Sequence, residues 1–374
     1  MFLSKLIDIV IAAGAVQGFF LALIHTTGTN RNKASNKILS VLLVVLSVSI
    51  LHSLLAPQAF HSPYKIMEPF ILLIGPLLAF YVFDVTGIRK HTFKDILHGI
   101  PFVLLIVFIL PVWTSKESPY TEFLFAHGLP ISKIIWTLIV LQYGYYWWNI
   151  LSVFKRHRLA IESEFSDLEG KTLSWLHVFL HVFGGFLLLL VLTLVIAFHT
   201  DYYESIGAII CFGISTAIFV LGYYGLRQDE IVSPAASLSS LQQEEAVQST
   251  SPQKSIGEAE KPNEELLLKL QAHLETAKPY LNAALTLTEL ARQIGTTRNQ
   301  LSFLINTAYA ENFYSFINKF RVAEVKRLFA DPRNKNFTIL SLAYEAGFPS
   351  KSSFHSIFKK FTGITPAEYR SKLQ

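Results

Sequence analysis

Two groups of residues in this sequence have types and spacings that could do chemistry. His177 and His181 lie four residues apart in an apolar stretch. On a helix that places one above the other, which is ligand spacing. Glu68 and Asp84 lie near the ends of other apolar stretches, and an ionisable residue inside a membrane points to function. Most of these groups, with His52, His98, His127 and His199, fall close to expected interfaces, where polar side chains cost little. No HExxH or paired-aspartate motif accompanies them, so no catalytic centre, metal or cofactor is expected, and ligand sensing stays open. The second group is C-terminal. Helical patterning there turns Asn299, Gln300, Ser302 and Asn306 outward on one short helix, and Lys351, Ser352, Ser353, His355, Lys359 and Lys360 outward on another.

Charge separates the two groups. Residues 263–374 hold 15 Lys/Arg against 9 Asp/Glu, residues 227–262 hold 3 against 6, and residues 1–226 hold 14 against 12. The basic excess therefore sits at the C-terminal end, where a polyanionic partner is expected. Across the chain 51% of residues are hydrophobic and only 16% charged, too apolar for an ordinary soluble protein. The one cysteine, Cys211, rules out an internal disulfide and a cysteine-based zinc site, and suits a reducing cytosol.

The apolar residues gather into seven runs of bilayer-crossing length: Leu6–Ile24, Ile38–Ala56, Ile66–Val85, Ile96–Trp113, Ile134–Val153, Leu173–Phe198 and Ile206–Leu226. Pro69, Pro76, Pro101 and Pro111 interrupt the third and fourth, so six spans is the alternative count. Proline is tolerated in such helices where neighbours satisfy the freed carbonyls. Alternate loops carry Arg31, Lys33 and Lys37; Arg89, Lys90 and Lys94; and Lys155, Arg156, Arg158 and Lys171. The opposite side carries Lys5, Lys65, Lys116 and Lys133. The positive-inside rule then puts the N-terminus outside and everything after Leu226 in the cytoplasm, which requires an odd number of spans. A multi-pass sensor region of the inner membrane is expected over residues 1–226. Residues 227–262, rich in Ser, Gln, Glu, Ala and Pro and free of aromatics, are expected to form a disordered linker.

From residue 263 the pattern has the helical period of 3.6. Leu266, Leu267, Leu270 and Leu274 form a stripe that closes at Pro279. Thr286 or Thr288 can cap a short helix with Leu290, Ala291 and Ile294 inward, and Gly295 supplies a left-handed end. Thr297 can cap a helix from Arg298 to Ala308, held by Leu301, Leu304 and Ile305. A long helix, Phe313 to Phe329, leads to a second copy: Ile339 to Phe348, a turn at Pro349-Ser350, and a helix to Phe361. Leu-Ala-x-x-x-Gly recurs at Leu290-Ala291…Gly295 and Leu342-Ala343…Gly347. This is a double helix-turn-helix.

Residues from about Glu264 to Tyr369 resemble the AraC/XylS-type DNA-binding domain. The densest stretch runs from Gly347-Phe-Pro-Ser-Lys through Phe354, Phe358-Lys, Gly363 and Pro366 to Tyr369-Arg370. The resemblance implies double-stranded promoter DNA as partner, read by two recognition helices in successive major grooves ~34 Å apart. By position it assigns Arg298, Asn299, Ser302 and Phe303 to the first helix, and Lys351, Ser352, Ser353, His355 and Ser356 to the second. Phe303 stands where a polar residue is usual, and either meets a thymine methyl or turns inward. The expected class is all-α: a seven-span bundle, a linker, and a double helix-turn-helix domain over residues 263–374. The expected function is a membrane-embedded, non-enzymatic transcription regulator. A small-molecule or protein signal would act on it through homodimerisation in the bilayer or through cleavage of the linker. The alternative is a transporter or membrane enzyme that its C-terminal domain regulates.

Overall fold

The computed structural model describes residues 2–27, 34–59, 69–89, 92–114, 119–168, 176–181, 184–185, 188, 191, 195, 204–227 and 263–373. Their regular structure is helical, with one isolated antiparallel bridge, Phe165 to Thr286, so the all-α expectation holds. The expected linker lies outside the described residues, as does most of the sixth expected span. Two units make up the chain: Met1–Lys155 with Leu173–Ala235, and Arg156–Thr172 with Ala236–Gln374. Residues 156–172, a loop between spans by hydropathy, thus group with the C-terminal domain.

In the first unit lie α1 (Phe2–Thr27), α2 (Ala34–Ala59), α3 (Ile71–Thr86), α4 (Ile100–Thr114, after a 3-10 turn Phe93–Gly99), most of α5 (Pro119–Glu164) and α6 (Glu204–Arg227). Leu39, Leu42, Leu43, Leu46 and Ile50 form the buried face of α2. Its other face is apolar too, with Val41, Val44 and Leu51 exposed. A helix apolar all round needs apolar surroundings on every side. Small residues let α1 come close to its neighbours: a methyl added at Gly14 or Gly18 would collide with Ser215 of α6 or Ser47 of α2. Pro76 deprives the Leu72 carbonyl of its helical donor. Gln142 Nε2 of α5 donates to that carbonyl at 3.0 Å, and the Tyr143 hydroxyl donates to the Ile71 carbonyl at 2.9 Å. The expected repair of a proline break from a neighbouring helix is thereby met.

The span count is corrected downward. Among the described residues two stretches, Ala34–His52 and Phe93–Pro111, are long and apolar enough to cross a membrane. Ile11–Thr27, Ile71–Thr86 and Cys211–Tyr224 are apolar but shorter. The expected fifth span is helical throughout, yet Gln142, Tyr143, Tyr145, Tyr146 and Asn149 dilute its hydropathy.

In the second unit α7 (Glu264–Thr276) is followed by α8 (Leu287–Ile294), α9 (Arg298–Tyr309), α10 (Phe313–Ala330), α11 (Ile339–Glu345), α12 (Lys351–Thr362) and α13 (Pro366–Ser371). There are two cores, and α10 serves both. Its first half gives Phe313, Phe316 and Ile317 to a core with Leu270, Leu274, Leu290, Ile294, Leu301 and Leu304. Its second half gives Val322, Val325, Leu328 and Phe329 to a core with Leu342, Phe348, Phe354, Ile357 and Phe358. Each core fixes one short helix pair against one half of α10.

Candidate nucleic-acid interface

The two helix pairs are built by the same local devices. Thr286 caps α8, its hydroxyl accepting from the Glu289 N–H at 3.1 Å. The helix ends at Gly295 (φ 70°), where the Gly295 N–H reaches the Arg292 carbonyl and the Thr296 N–H reaches the Ala291 carbonyl. That pair of bonds is the Schellman arrangement. In the second copy Thr338 caps α11, accepting from the Ser341 N–H at 3.0 Å. The Gly347 (φ 89°) and Phe348 N–H groups then reach the Tyr344 and Ala343 carbonyls in the same pattern. Each short helix therefore ends in a left-handed turn before the helix that follows.

That following helix is capped and buried on one face in both copies. Thr297 caps α9 in a capping box with Gln300, so Gln300 closes the helix end and is more than outward surface. Leu301, Leu304 and Ile305 are buried, Ser302 is half-buried, and Asn299 and Phe303 are exposed. At 49% exposure Phe303 points outward, which decides between the two orientations left open by the sequence. Ser350 caps α12, accepting from the Ser353 N–H at 3.2 Å. Phe354, Ile357 and Phe358 are buried, Ser353 is half-buried, and Lys351, Ser352, His355 and Ser356 are exposed on the first turns. Eight of the nine residues assigned by resemblance thus lie on or beside the outer faces of α9 and α12. The ninth, Arg298, is only 18% exposed and is gripped by Glu164.

Residues 290–372 match the family model described as a helix-turn-helix domain. The C-terminal unit carries an AraC-type helix-turn-helix domain. Over 86 residues, 23% of this chain, the sequence is 34% identical to an uncharacterized HTH-type transcriptional regulator of Staphylococcus aureus (strain COL), covering 11% of it. Over 91 residues, 24% of this chain, it is 30% identical to the melibiose operon regulatory protein of Escherichia coli (strain K12), covering 29% of it. The chain thus spans between a tenth and a third of the length of these relatives. No solved structure matches it.

Two arginines within the AraC-type domain, one after each helix pair, carry weight the sequence reading did not give them. Arg321 on α10 is fully buried. It donates to the carbonyls of Tyr280 and Asn282 at 2.8 Å each, and to the Ser166 carbonyl at 3.1 Å and hydroxyl at 3.0 Å. Burial pulls its pKa down to about 10, and Asp167 opposes that fall. Arg370 on α13 plays the same part for the second copy, donating to the carbonyls of Phe337, Asn334 and Lys335 at 2.7–3.0 Å. Each arginine pins the loop that leads into its own helix pair. The signal was in the chain, since Phe320-Arg321 and Tyr369-Arg370 repeat an aromatic–arginine pair after each copy.

The histidine pair is placed on a helical stretch at 176–181. The two rings lie 4.5 Å apart between centroids, and His181 Nδ1 is 2.8 Å from the His177 carbonyl. Among the described residues no cluster of three or more His, Cys, Asp or Glu side chains could hold a metal ion.

Proposed function

We propose that this protein is a membrane-embedded transcription regulator that binds promoter DNA through α9 and α12. The observation that carries the reading is the repeated, Schellman-terminated helix pair. Each copy presents a capped second helix whose first turns expose polar side chains, joined in the second copy by the basic Lys351. N-terminal turns of that kind supply base contacts in the major groove, while backbone amides and basic groups hold phosphates. Lys351 suits guanine acceptors, the serines suit bases or phosphates, and outward Phe303 suits a thymine methyl.

Membrane embedding is supported by surface chemistry. Val16 and Phe20 on α1, Leu104 and Val107 on α4 and Leu141 on α5 are each at least 60% exposed, and large apolar side chains left open in such number suit a membrane or partner contact. The excess of Lys and Arg in loop residues 31–37, 89–94 and 155–171 supports a cytoplasmic DNA-binding domain.

The test uses the full chain in lipid nanodiscs, with duplexes selected from a random-sequence library. Binding should weaken steeply as salt rises from 50 to 200 mM. Lys351→Ala should cost about 1–3 kcal/mol and relax preference at one base position. Selection that enriches no sequence would sink sequence-specific recognition.

A further inference from the structure

The end of α5 and the residues after it form a strap on the first helix pair. Ser166 donates its N–H to the Leu285 carbonyl at 3.3 Å and its hydroxyl to the same carbonyl at 2.7 Å, and Phe165 bridges Thr286. Arg321 and Asn318 both donate to the Ser166 carbonyl at 3.1 Å. Glu162 accepts from the Asn312 amide at 3.1 Å. At the centre stands the Glu164 carboxylate, 6% exposed. One of its oxygens accepts from the Thr288 hydroxyl at 2.6 Å and the Thr288 N–H at 3.3 Å, and the other from Arg298 Nε at 2.7 Å.

A backbone N–H on the first turn of a helix, a hydroxyl and a guanidinium converging on one anion make a phosphate-binding site. Here the anion comes from the protein itself. We propose that Glu164 occupies the DNA-phosphate site of the first helix pair, so that residues 156–168 hold this pair in a state that cannot engage DNA. This rests on the DNA-binding reading above. Arg298, assigned to DNA by resemblance, cannot serve a phosphate or a base while it is bonded to Glu164. In the second pair Lys351, at the corresponding helix start, is exposed. The strap is also the direct continuation, within α5, of the apolar stretch Ile134–Val153. DNA and the strap compete for one site, and each weakens the other by the same factor.

The experiment compares wild type, Glu164→Gln and Glu164→Ala, each as full chain in nanodiscs, on duplexes selected from a random library. Hydrogen exchange at residues 285–288 is read in parallel. The proposal expects Glu164→Ala to bind about tenfold tighter, with Glu164→Gln intermediate. Exchange at Thr288 should speed up in the variants and in wild type bound to DNA. In an Arg298→Ala background the gain from Glu164→Ala should shrink, because the shared partner is gone. Unchanged or weaker binding by both Glu164 variants, with their C-terminal exchange otherwise native, overturns the competition. No duplex bound by any variant at low salt overturns the DNA-binding reading itself. In that case faster exchange at 285–288 in Glu164→Ala would still report a docked strap, so the two failures can be told apart.

Discussion

The two helix pairs share a plan and differ in what holds them. Each has a threonine-capped short helix, a Schellman glycine, a capped second helix and an arginine that pins the incoming loop. The first pair shares its pinning arginine with the strap, since Arg321 is fully buried and also bonds Ser166. The second pair is pinned by Arg370, partly open to solvent, which donates to the turn before α11 and lies over the Phe329 ring. The arginine of one copy is thus wired to a segment some 155 positions away, and that of the other to the turn about 35 positions before it. The difference suits a regulator in which one reading head is controlled and the other is constitutively formed.

The largest expected effect breaks the first pair. Arg321→Ala strips donors from the Tyr280, Asn282 and Ser166 carbonyls and leaves a cavity where a guanidinium was buried. It should cost about 3–5 kcal/mol, because several buried acceptors are stranded at once. Arg370→Ala, nearer solvent, should cost about 1–2 kcal/mol, since water can replace part of what is lost. Amide exchange resolved by segment checks both: the first change should release 280–294 and the strap together, the second only 334–345. Equal losses would show that burial of Arg321 adds nothing.

The glycines invert the ranking. A methyl at Gly295 meets only the Lys269 ammonium, at 3.5 Å, so Gly295→Ala carries little beyond the positive φ, about 1 kcal/mol. A methyl at Gly347 would clash with the Tyr280 carbonyl and lie 2.8 Å from Leu281 backbone atoms, which cannot move aside like a side-chain tip. Overpacking adds to the φ penalty, so Gly347→Ala should cost about 2–4 kcal/mol. Exchange protection in α11 and α12 should fall while α8 and α9 keep theirs. Equal losses from the two substitutions would remove Gly347's second role.

How far all this was legible depends on the range of the interactions. Caps, Schellman glycines and buried stripes are set within a few residues, and period 3.6 with Leu-Ala-x-x-x-Gly exposed them in the sequence. Gly347 was legible as a turn, but its approach to Tyr280 was not, because nothing local records a neighbour 67 positions away. Glu164 was hidden for the same reason: one of four carboxylates, with Glu162, Asp167 and Glu169, after a run of basic residues reads as loop. Phe303 could be placed at the right position on α9 but not oriented, since burial of a single aromatic depends on which helices flank it. The span count was overread because tyrosines and prolines were tolerated wherever apolar length sufficed.

The smallest effect sharpens the comparison at the junction. Glu324 on α10 is nearly buried, gripped by Arg327 at 2.7 and 3.1 Å and approached by Lys278 at 3.5 Å, just before the first pair. The Arg327 bonds, with Lys278 adding to them, hold its pKa below the usual 4.5. A carboxylate lowered in the folded state stabilises fully above its unfolded pKa, and that contribution disappears as pH falls through the folded value. The exposed pairs Glu289–Arg292 and Asp331–Arg333 pull their carboxylates down to about 2, but salt screens them. At 1 M salt the remaining acid sensitivity below pH 4.5 should therefore divide between Glu368, whose carboxylate the Thr365 N–H lowers, and Glu324. The Glu324 share, which Glu324→Gln should remove, should amount to a few tenths to about 1 kcal/mol. An acid slope that salt abolishes completely would place the junction's charge pair in the same class as the surface pairs. The first helix pair would then owe its distinct wiring to Arg321 and the strap alone.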